Sequence, residues 1–249
     1  MHTLRAVWRL VAFLAALAWY ATPLWVRGWF GHIDWDHHQA TKQRFCRKAM
    51  QILGIDLRVE GEPYRGGSCV YASNHRSWLD PFAELATVWA WPVAKAEVAS
   101  LPIVADGARA TGILFVDRSS RDSRRAVLEA MVRTLGEGFS ILIYPEGTTS
   151  TEPGTIAYRR GGFAVAAEAG RPVVPLAVVY PDPSYHWGDG ENLWANFVQV
   201  AGAKRTRLRL VIGDPIAVAP DGSEAAMTEA RAWTDARIAE GPRLAPQPV

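Results

Sequence analysis

The stretch Cys-Val-Tyr-Ala-Ser-Asn-His-Arg-Ser-Trp-Leu-Asp, residues 69–80, decides the fold class. It opens with a short apolar run that is typical of a buried strand, and polar side chains follow at once. A helical pattern at 78–89 comes next. Because ligands of open α/β sheets bind outside the carboxyl ends of the strands, the polar residues at 74–80 predict a functional site there.

The same alternation of apolar runs and helical patterns continues along the chain after residue 54. It predicts an α/β domain with a largely parallel, mixed sheet of about seven strands covered by helices. No internal repeat or linker divides it. The predicted strands are 57–59, 69–72, 93–96, 113–116, 141–144, 173–179 and 208–212, and the predicted helices are 78–89, 100–110, 120–135, 162–169 and 223–239.

The composition narrows the class of protein. The chain has 249 residues, 49% hydrophobic and 21% charged, which excludes intrinsic disorder for the bulk of it. A net charge of +2 lacks the basic excess of most nucleic-acid binders. With only two cysteines, Cys46 and Cys69, neither a disulfide scaffold nor a Cys-rich zinc domain is expected, and a reducing compartment fits.

The N-terminal segment holds an uncharged apolar run at 10–26. A helix of that length spans about 26 Å, marginal for a bilayer core of about 30 Å, and Pro23 is expected to bend or end it. We interpret the run as a short membrane anchor or re-entrant helix, with a signal peptide cleaved near 16–18 and a buried core helix as alternatives. Tryptophan favours the membrane interface, and five of the 11 tryptophans lie here: Trp8, Trp19, Trp25, Trp29 and Trp35.

Residues 34–54 are expected to form an amphipathic helix, whose cations Lys42, Arg44, Arg47 and Lys48 suggest attachment to anionic lipid. A solvated helix packed on the domain is the alternative. The histidines near this segment match no metal-ligand spacing, so no metal site is expected. The expected organisation is membrane-associated helices at 1–53, the α/β domain at 54–240 and a Pro-rich tail at 241–249.

His75 and Asp80 together suggest general-base chemistry. A histidine with a pKa near 6.5 is the natural base near neutral pH, and it needs an acceptor on its second ring nitrogen. Asp80, five residues on, can reach back to provide it. Asp80 before Pro81 also fits a helix N-cap, and His75 alone fits a structural histidine, so the residues by themselves leave both readings open.

Further polar clusters follow two other predicted strands. Arg118 can clamp a phosphate or form only a surface ion pair. Glu146 can accept hydrogen bonds from substrate hydroxyls or pair with a base, and Gly147 permits close approach of a ligand, although a simple Gly-Thr-Ser turn is the alternative. The sequence has no G-x-S-x-G, P-loop or G-x-G-x-x-G motif, so a covalent enzyme intermediate and a nucleotide cofactor are not expected.

In their order and spacing, these motifs resemble the lysophospholipid acyltransferase family of the 1-acylglycerol-3-phosphate acyltransferase type. The family motif N-H-x-x-x-x-D is matched at 74–80, and G-x-x-F-x-x-R at 112–118. The motif F-P-E-G-T-R-S is matched at five positions within 144–150, and F-K-x-G and V-P elements resemble 158–161 and 174–175. Four ordered motifs over about 55–215 form a specific signal.

The resemblance implies that His75, oriented by Asp80, takes the proton of a lysophospholipid hydroxyl, which attacks the thioester of acyl-CoA or acyl-carrier protein. It implies phosphatidic acid as the product and no cofactor beyond this co-substrate. The expected partners are membrane lipid and the acceptor, with no nucleic acid, at the cytoplasmic face of the inner membrane. The substrate-binding residues that it implies are Asn74, Lys95, Gly112, Phe115, Arg118, Glu146, Gly147, Thr148 and Arg160.

One residue departs from the family pattern, because Thr149 stands where the third motif usually has arginine. A threonine hydroxyl cannot replace that charge, although Arg159 or Arg160 could compensate. Similar E-G-T-T sequences occur in relatives that acylate other lyso-lipids, including lyso-ornithine lipid. That acceptor, a thioesterase using the same dyad on water, and a non-catalytic lipid-binding module are the alternative functions.

Overall fold

A seven-stranded sheet forms the centre of the chain. A computed structural model describes residues 2–30, 34–96, 112–117, 120–188 and 191–241. All seven described strands overlap the predicted ones, which confirms the α/β class. They are β1 (Ile55–Glu60), β2 (Val70–Ser73), β3 (Trp91–Lys95), β4 (Leu114–Val116), β5 (Ile141–Ile143), β6 (Val173–Val179) and β7 (Thr206–Ile212).

The helices within the described ranges are α1 (His2–Trp29), α2 (Trp35–Leu53), α3 (Asp80–Leu85), α4 (Arg121–Gly136), α5 (Gly161–Glu168), α6 (Leu193–Gly202) and α7 (Ser223–Ala239). The predicted helix 78–89 was too long. Helix α6 was not predicted, because its pattern is inverted: Asn196 is buried while Leu193 and Trp194 are exposed. The helix predicted at 100–110 lies outside the described residues.

The sheet brings several strand ends to one edge. Its strand order is β1-β7-β6-β2-β5-β3-β4, and among the pairs of these described strands only β6–β7 is antiparallel. The predicted largely parallel, mixed sheet is therefore confirmed. Since β2 through β6 run in the same direction, the segments that follow them all leave from the same edge.

Strand β2 lies near the middle of the sheet, with helices on both faces. Its residues alternate between two apolar clusters, as the period of a strand requires. Tyr71 packs in the cluster that includes residues of α2 and α6, and Val70 packs in the cluster with Met131 of α4 and Phe163 of α5. Core packing on both faces of β2 thus fixes the point from which the following loop begins.

Helix α1 continues through Pro23, so this proline does not end the helix, and a bend there stays a prediction. The buried side chain of Leu24 holds the turn that follows it. The helix is long and apolar enough to cross a membrane, and only 11% of its apolar window is buried. That exposure does not fit the core-helix alternative.

The first turns of α1 are fixed to the end of α6. Arg9 donates hydrogen bonds to the carbonyl oxygens of Ala201 and Ala203, at 2.9 and 2.6 Å, and Arg5 donates to that of Gly202 at 2.8 Å. The last carbonyls of a helix have no partner within it, and cations there also meet its negative end. These contacts join the apolar helix to the α/β domain.

Helix α2 forms where it was predicted, with Asp34 as its N-cap and Gly54 in the left-handed conformation at its end. The expectation that Lys42 faces lipid was wrong, because its side chain is buried, whereas Arg47 is exposed and that expectation stays a prediction. Lys42 Nζ donates to the carbonyl oxygen of Ala90 at 2.8 Å, and Arg47 Nε donates to that of Ala86 at 2.9 Å. The alternative, a helix packed on the domain, describes this part of α2.

Lys42 makes the stability of the fold depend on pH. Burial lowers the pKa of Lys42 to about 7. Between pH 7 and 10 the unfolded chain therefore binds more protons at this residue than the folded chain, and the contribution of Lys42 to stability rises with pH. We expect the free energy of unfolding of wild type, relative to Lys42→Met, to increase by about 1 kcal/mol per pH unit from pH 7 to 9.

Denaturant unfolding at several pH values measures this difference. Lys48→Met is the matched control, because Lys48 is an exposed cation of the same helix, and its difference from wild type should not change with pH. Parallel curves for wild type and Lys42→Met would contradict the prediction.

Candidate active site

Polar side chains from three neighbouring strands meet at the shared edge of the sheet. His75 follows β2, Glu146 follows β5, and Tyr180 follows β6. The strand order places β2 between β5 and β6, so the three segments are adjacent although up to about a hundred residues separate them. The structure thus brings the first and third sequence motifs together.

His75 and Asp80 form a hydrogen-bonded pair at this edge. The distance from His75 Nδ1 to Asp80 Oδ2 is 2.9 Å, and the His75 side chain keeps 20% of its surface exposed while that of Asp80 has none. Asp80 is the first residue of α3, and Leu79 is its N-cap. The N-cap interpretation of Asp80 is therefore replaced, because its carboxylate points back towards His75.

The carboxylate of Asp80 accepts three further hydrogen bonds. Its Oδ2 accepts from the backbone N–H groups of Arg76 and Ser77, at 2.6 and 2.8 Å, and its Oδ1 accepts from the Tyr180 hydroxyl at 2.6 Å. Donors of this number stabilise the ionised form of a buried carboxyl. An ionised Asp80 can both orient the His75 ring and stabilise it when it is protonated.

The backbone and ring of His75 are also held in place. Its N–H donates to Glu146 Oε1 at 3.0 Å, and its carbonyl oxygen accepts from the N–H of Ser150 at 3.0 Å. Its ring stacks on Tyr144, with 4.0 Å between centroids and 17° between planes. His75 therefore sits in one fixed orientation with a face and an edge already occupied.

Glu146 supports the site and faces inward. It is 2% exposed, and its second oxygen accepts from the N–H of Ile156 at 3.1 Å. Burial raises the pKa of Glu146, although both backbone hydrogen bonds oppose that rise. Glu146 is buried and each of its oxygens binds a backbone donor, which favours a supporting role, and the contact with acceptor hydroxyls stays a prediction.

Asn74 does not contact the open site either, which corrects its predicted substrate-binding role. It has no exposed surface, and its amide is bonded to both backbone groups of Val178, with Nδ2 donating at 2.9 Å and Oδ1 accepting at 2.7 Å. Asn74 continues the β2–β6 pairing for one residue beyond the strand. Its role is to fix the point where the chain turns to His75.

Arg76 was not predicted as a site residue, and it holds the loop of the third motif. The guanidinium is almost fully buried and donates to the carbonyl oxygens of Ser150 and Gly154, at 3.0 and 2.6 Å. Tyr180 was also missed. Its position at the end of β6 carries the same signal that indicated the other clusters, a polar group directly after an apolar strand.

Of the predicted residues on or beside β3 and β4, Lys95 lies further along the same edge, whereas Gly112 precedes β4 and lies beside Trp91 at the opposite edge. Lys95 ends β3, is exposed and pairs in register with Val116, and Phe115 lies within β4. Gly112 has φ of 69°, and a side chain there would meet the Trp91 ring at 2.5 Å, so glycine is required for packing. Arg118 lies outside the described residues.

The third motif carries an arginine over its glycine. Gly147 has φ of 77°, and a Cβ atom there would lie 2.8 Å from the guanidinium carbon of Arg159. Arg160 is exposed and forms the N-cap of α5. Thr148 and Thr149 are half-buried beside this glycine. Of the two arginines expected to compensate for Thr149, Arg159 is the one that lies against the motif.

Comparisons with known proteins identify the family of the chain. Residues 56–179 match the acyltransferase family profile. A 1-acyl-sn-glycerol-3-phosphate acyltransferase of Neisseria gonorrhoeae is 30% identical over 189 residues, covering 68% of this chain and 74% of that protein. A lyso-ornithine lipid O-acyltransferase of Rhodobacter capsulatus is 33% identical over 159 residues, covering 61% of this chain and 55% of that protein.

A solved structure shows the same fold. The crystal structure of the 1-acyl-sn-glycerophosphate acyltransferase PlsC from Thermotoga maritima superposes with a TM-score of 0.76 at 20% identity, and the match covers 98% of this chain and 97% of that one. A mostly parallel sheet with a carboxylate-oriented histidine at its edge defines a site for general-base chemistry. The chain belongs to the acyltransferase family, as its motifs indicated, and is an enzyme of that class.

Glu146→Gln tests whether Glu146 braces the site or contacts substrate. Glutamine keeps the shape but has only one oxygen, so its NH2 group would face a backbone N–H that loses its acceptor. We expect a loss of about 1–3 kcal/mol in the free energy of unfolding and a fall in kcat. Denaturant unfolding and steady-state kinetics measure both.

The matched control is Glu152→Gln, because Glu152 is exposed in the same loop. A raised KM for the acceptor with unchanged stability in Glu146→Gln would show direct substrate contact and contradict the brace.

Proposed function

We propose that this enzyme transfers an acyl group from an acyl thioester to the free hydroxyl of 1-acylglycerol-3-phosphate, giving phosphatidic acid. The observation that carries the proposal is the His75–Asp80 pair, in which a fully buried carboxylate with four donors orients an accessible imidazole. The relative from Neisseria gonorrhoeae bears the name of this activity, which supports the choice of acceptor.

The reaction follows from which ring nitrogen is free for substrate. Asp80 binds Nδ1 of His75, so Nε2 takes the proton of the acceptor hydroxyl. The oxygen then attacks the thioester carbonyl carbon, the new C–O ester bond forms and the C–S bond breaks. The imidazolium returns its proton to the leaving thiolate, and Asp80 stabilises the cation between the two proton transfers. The donor in this proposal is acyl-CoA or acyl-carrier protein, and no further cofactor is needed.

The acceptor phosphate would meet the basic residues along the edge of the sheet. Arg159 lies over Gly147 beside the third motif, and Lys95 ends a neighbouring part of the sheet. A guanidinium can bind phosphate oxygens in pairs, so Arg159 takes the role of the arginine that Thr149 replaces. We assign Arg118 to the same phosphate from its motif alone.

Lyso-ornithine lipid is the second candidate acceptor. The observation that favours it is Thr149, which removes a cation from the third motif, together with the lyso-ornithine lipid O-acyltransferase of Rhodobacter capsulatus at 33% identity. Free fatty acid release, as by a thioesterase, and lipid binding without turnover are the remaining outcomes that the assay below separates.

We infer that α1 lies in the membrane interface on the cytoplasmic side. One stripe of the helix exposes large apolar side chains: Leu4, Trp8, Val11 and Trp19 are 61–78% exposed. Both ends of the helix are tied to the rest of the chain, the first by Arg5 and Arg9 and the last by Arg27, which donates to His37 of α2 at 2.9 Å. An amphipathic helix held in this way supports attachment along one surface.

His75→Ala should abolish acyl transfer, because the variant lacks the group that accepts the hydroxyl proton. We expect kcat to fall by a factor of about 10³ or more, with Tm within a few degrees of wild type. The assay uses purified protein with lysophosphatidate and lyso-ornithine lipid, each with acyl-CoA and with acyl-carrier protein. Activity retained in His75→Ala would contradict the mechanism, and a strong preference for lyso-ornithine lipid would replace the acceptor.

Arg159→Gln should raise KM for lysophosphatidate by about tenfold, since one charge-assisted bond to a phosphate is lost. Its neighbour Arg160→Gln is the matched control and should change KM less than twofold. Lyso-ornithine lipid, which has no phosphate, serves as the control substrate. An equal loss in both variants would exclude a specific role for Arg159.

A further inference from the structure

Glu84 is a buried carboxyl that the proposed mechanism does not use. It lies one helical turn after Asp80 on α3, so both carboxyls point from the same face of the helix, and neither has any exposed surface. The hydroxyl of Tyr144 donates a hydrogen bond to Glu84 Oε2. Burying two neighbouring carboxyls costs folding free energy, which indicates that the second carboxyl has a role in the site.

Tyr144 connects this carboxyl to the catalytic base. The ring of Tyr144 stacks on the imidazole of His75, 4.0 Å away and nearly parallel. The motif that Tyr144 opens resembles one that usually begins with phenylalanine, and the additional hydroxyl is the atom that Glu84 binds. The row of contacts Glu84–Tyr144–His75 therefore leads from α3, through the residue that follows β5, to the loop after β2.

We propose that Glu84 is a positioning residue, which holds the Tyr144 ring against the His75 imidazole through the Tyr144 hydroxyl. The inference rests on the proposed role of His75 as the general base. A ring tethered at its hydroxyl cannot tilt away, so the imidazole keeps one plane and one direction for Nε2. The face of Tyr144 also attracts the imidazolium that forms during the reaction, and that attraction requires the stacked geometry.

Glu84 performs this role as a neutral acid. Asp80 accepts from four donors, whereas burial first and the charge of Asp80 second raise the pKa of Glu84 well above its usual range. On the outer side of α3, the α2 cations Lys42 and Arg47 donate to the carbonyls of Ala90 and Ala86. The polar groups that face Glu84 from its own and neighbouring elements are Asp80, Ser73, Tyr144 and Tyr180.

A pair of variants tests whether the contact holds the Tyr144 ring in place or only supplies a hydrogen-bond donor to the buried Glu84 carboxyl. Tyr144→Phe keeps the ring but leaves Glu84 without this donor, and should lower Tm by about 3–8 °C. The double variant Glu84→Met/Tyr144→Phe removes both polar partners and should bring Tm back to within about 2 °C of wild type. We expect its kcat to stay about tenfold below wild type, with KM for donor and acceptor within twofold, because the ring is no longer tethered. Recovery of kcat together with Tm would overturn the proposal.

Glu84→Gln tests the neutral form and does not depend on the double variant folding. Glutamine keeps the hydrogen bond without a charge, so kcat and the acid limb of the pH profile of kcat/KM should match wild type within about twofold and 0.2 pH unit. A shift of that limb to lower pH would show that Glu84 acts as an anion and would overturn the tether. His75→Ala in the same assay keeps the two proposals apart. If that variant is active, the base assignment fails. If it is inactive while Glu84→Met/Tyr144→Phe keeps the kcat of wild type, the positioning role alone fails.

Discussion

The carboxylate of Asp80 is the group on which the geometry of the site depends. It is fully buried, so its polar atoms depend on the four surrounding donors for their hydrogen bonds. Those donors come from the turn after β2 and from the residue after β6. A carboxylate of this kind forces the loop, the helix start and two strand ends into one arrangement, and the orientation of His75 is a consequence of that arrangement.

Many of the polar side chains in the described motifs hold backbone segments of the site in place. Asn74 binds β6, Arg76 binds the loop of the third motif, and Glu146 binds the backbone of His75 and of Ile156. These three side chains are the type that sequence motifs suggest as ligand contacts, yet each is nearly or fully buried. The reacting groups are few because a base held to within a fraction of an ångström needs many fixed neighbours.

The sequence predicted elements whose signal is local. Strand β6 and helix α7 were predicted to the residue, since each is a uniform apolar or amphipathic run with clear ends. The sequence did not predict helix α6, because its exposed face is apolar and its buried face contains Asn196. The Asn196 side chain accepts from Trp78 and donates to the carbonyl oxygen of His186. The family and the His75–Asp80 pair were predictable from spacing. The bond from Tyr180 to Asp80 was not, because it joins residues 100 positions apart.

The clamp of Arg9 on the end of α6 also orders events during synthesis. The two partners are 192 residues apart in the chain. At a translation rate of about 5–20 residues per second, α1 leaves the ribosome about 10–40 s before α6 exists to bind it. During that interval α1 can pack on α2, which follows it directly in the chain, but its first turns lack the carbonyl groups that later bind Arg5 and Arg9. The attachment of α1 to the α/β domain is therefore completed only after α6 has been made.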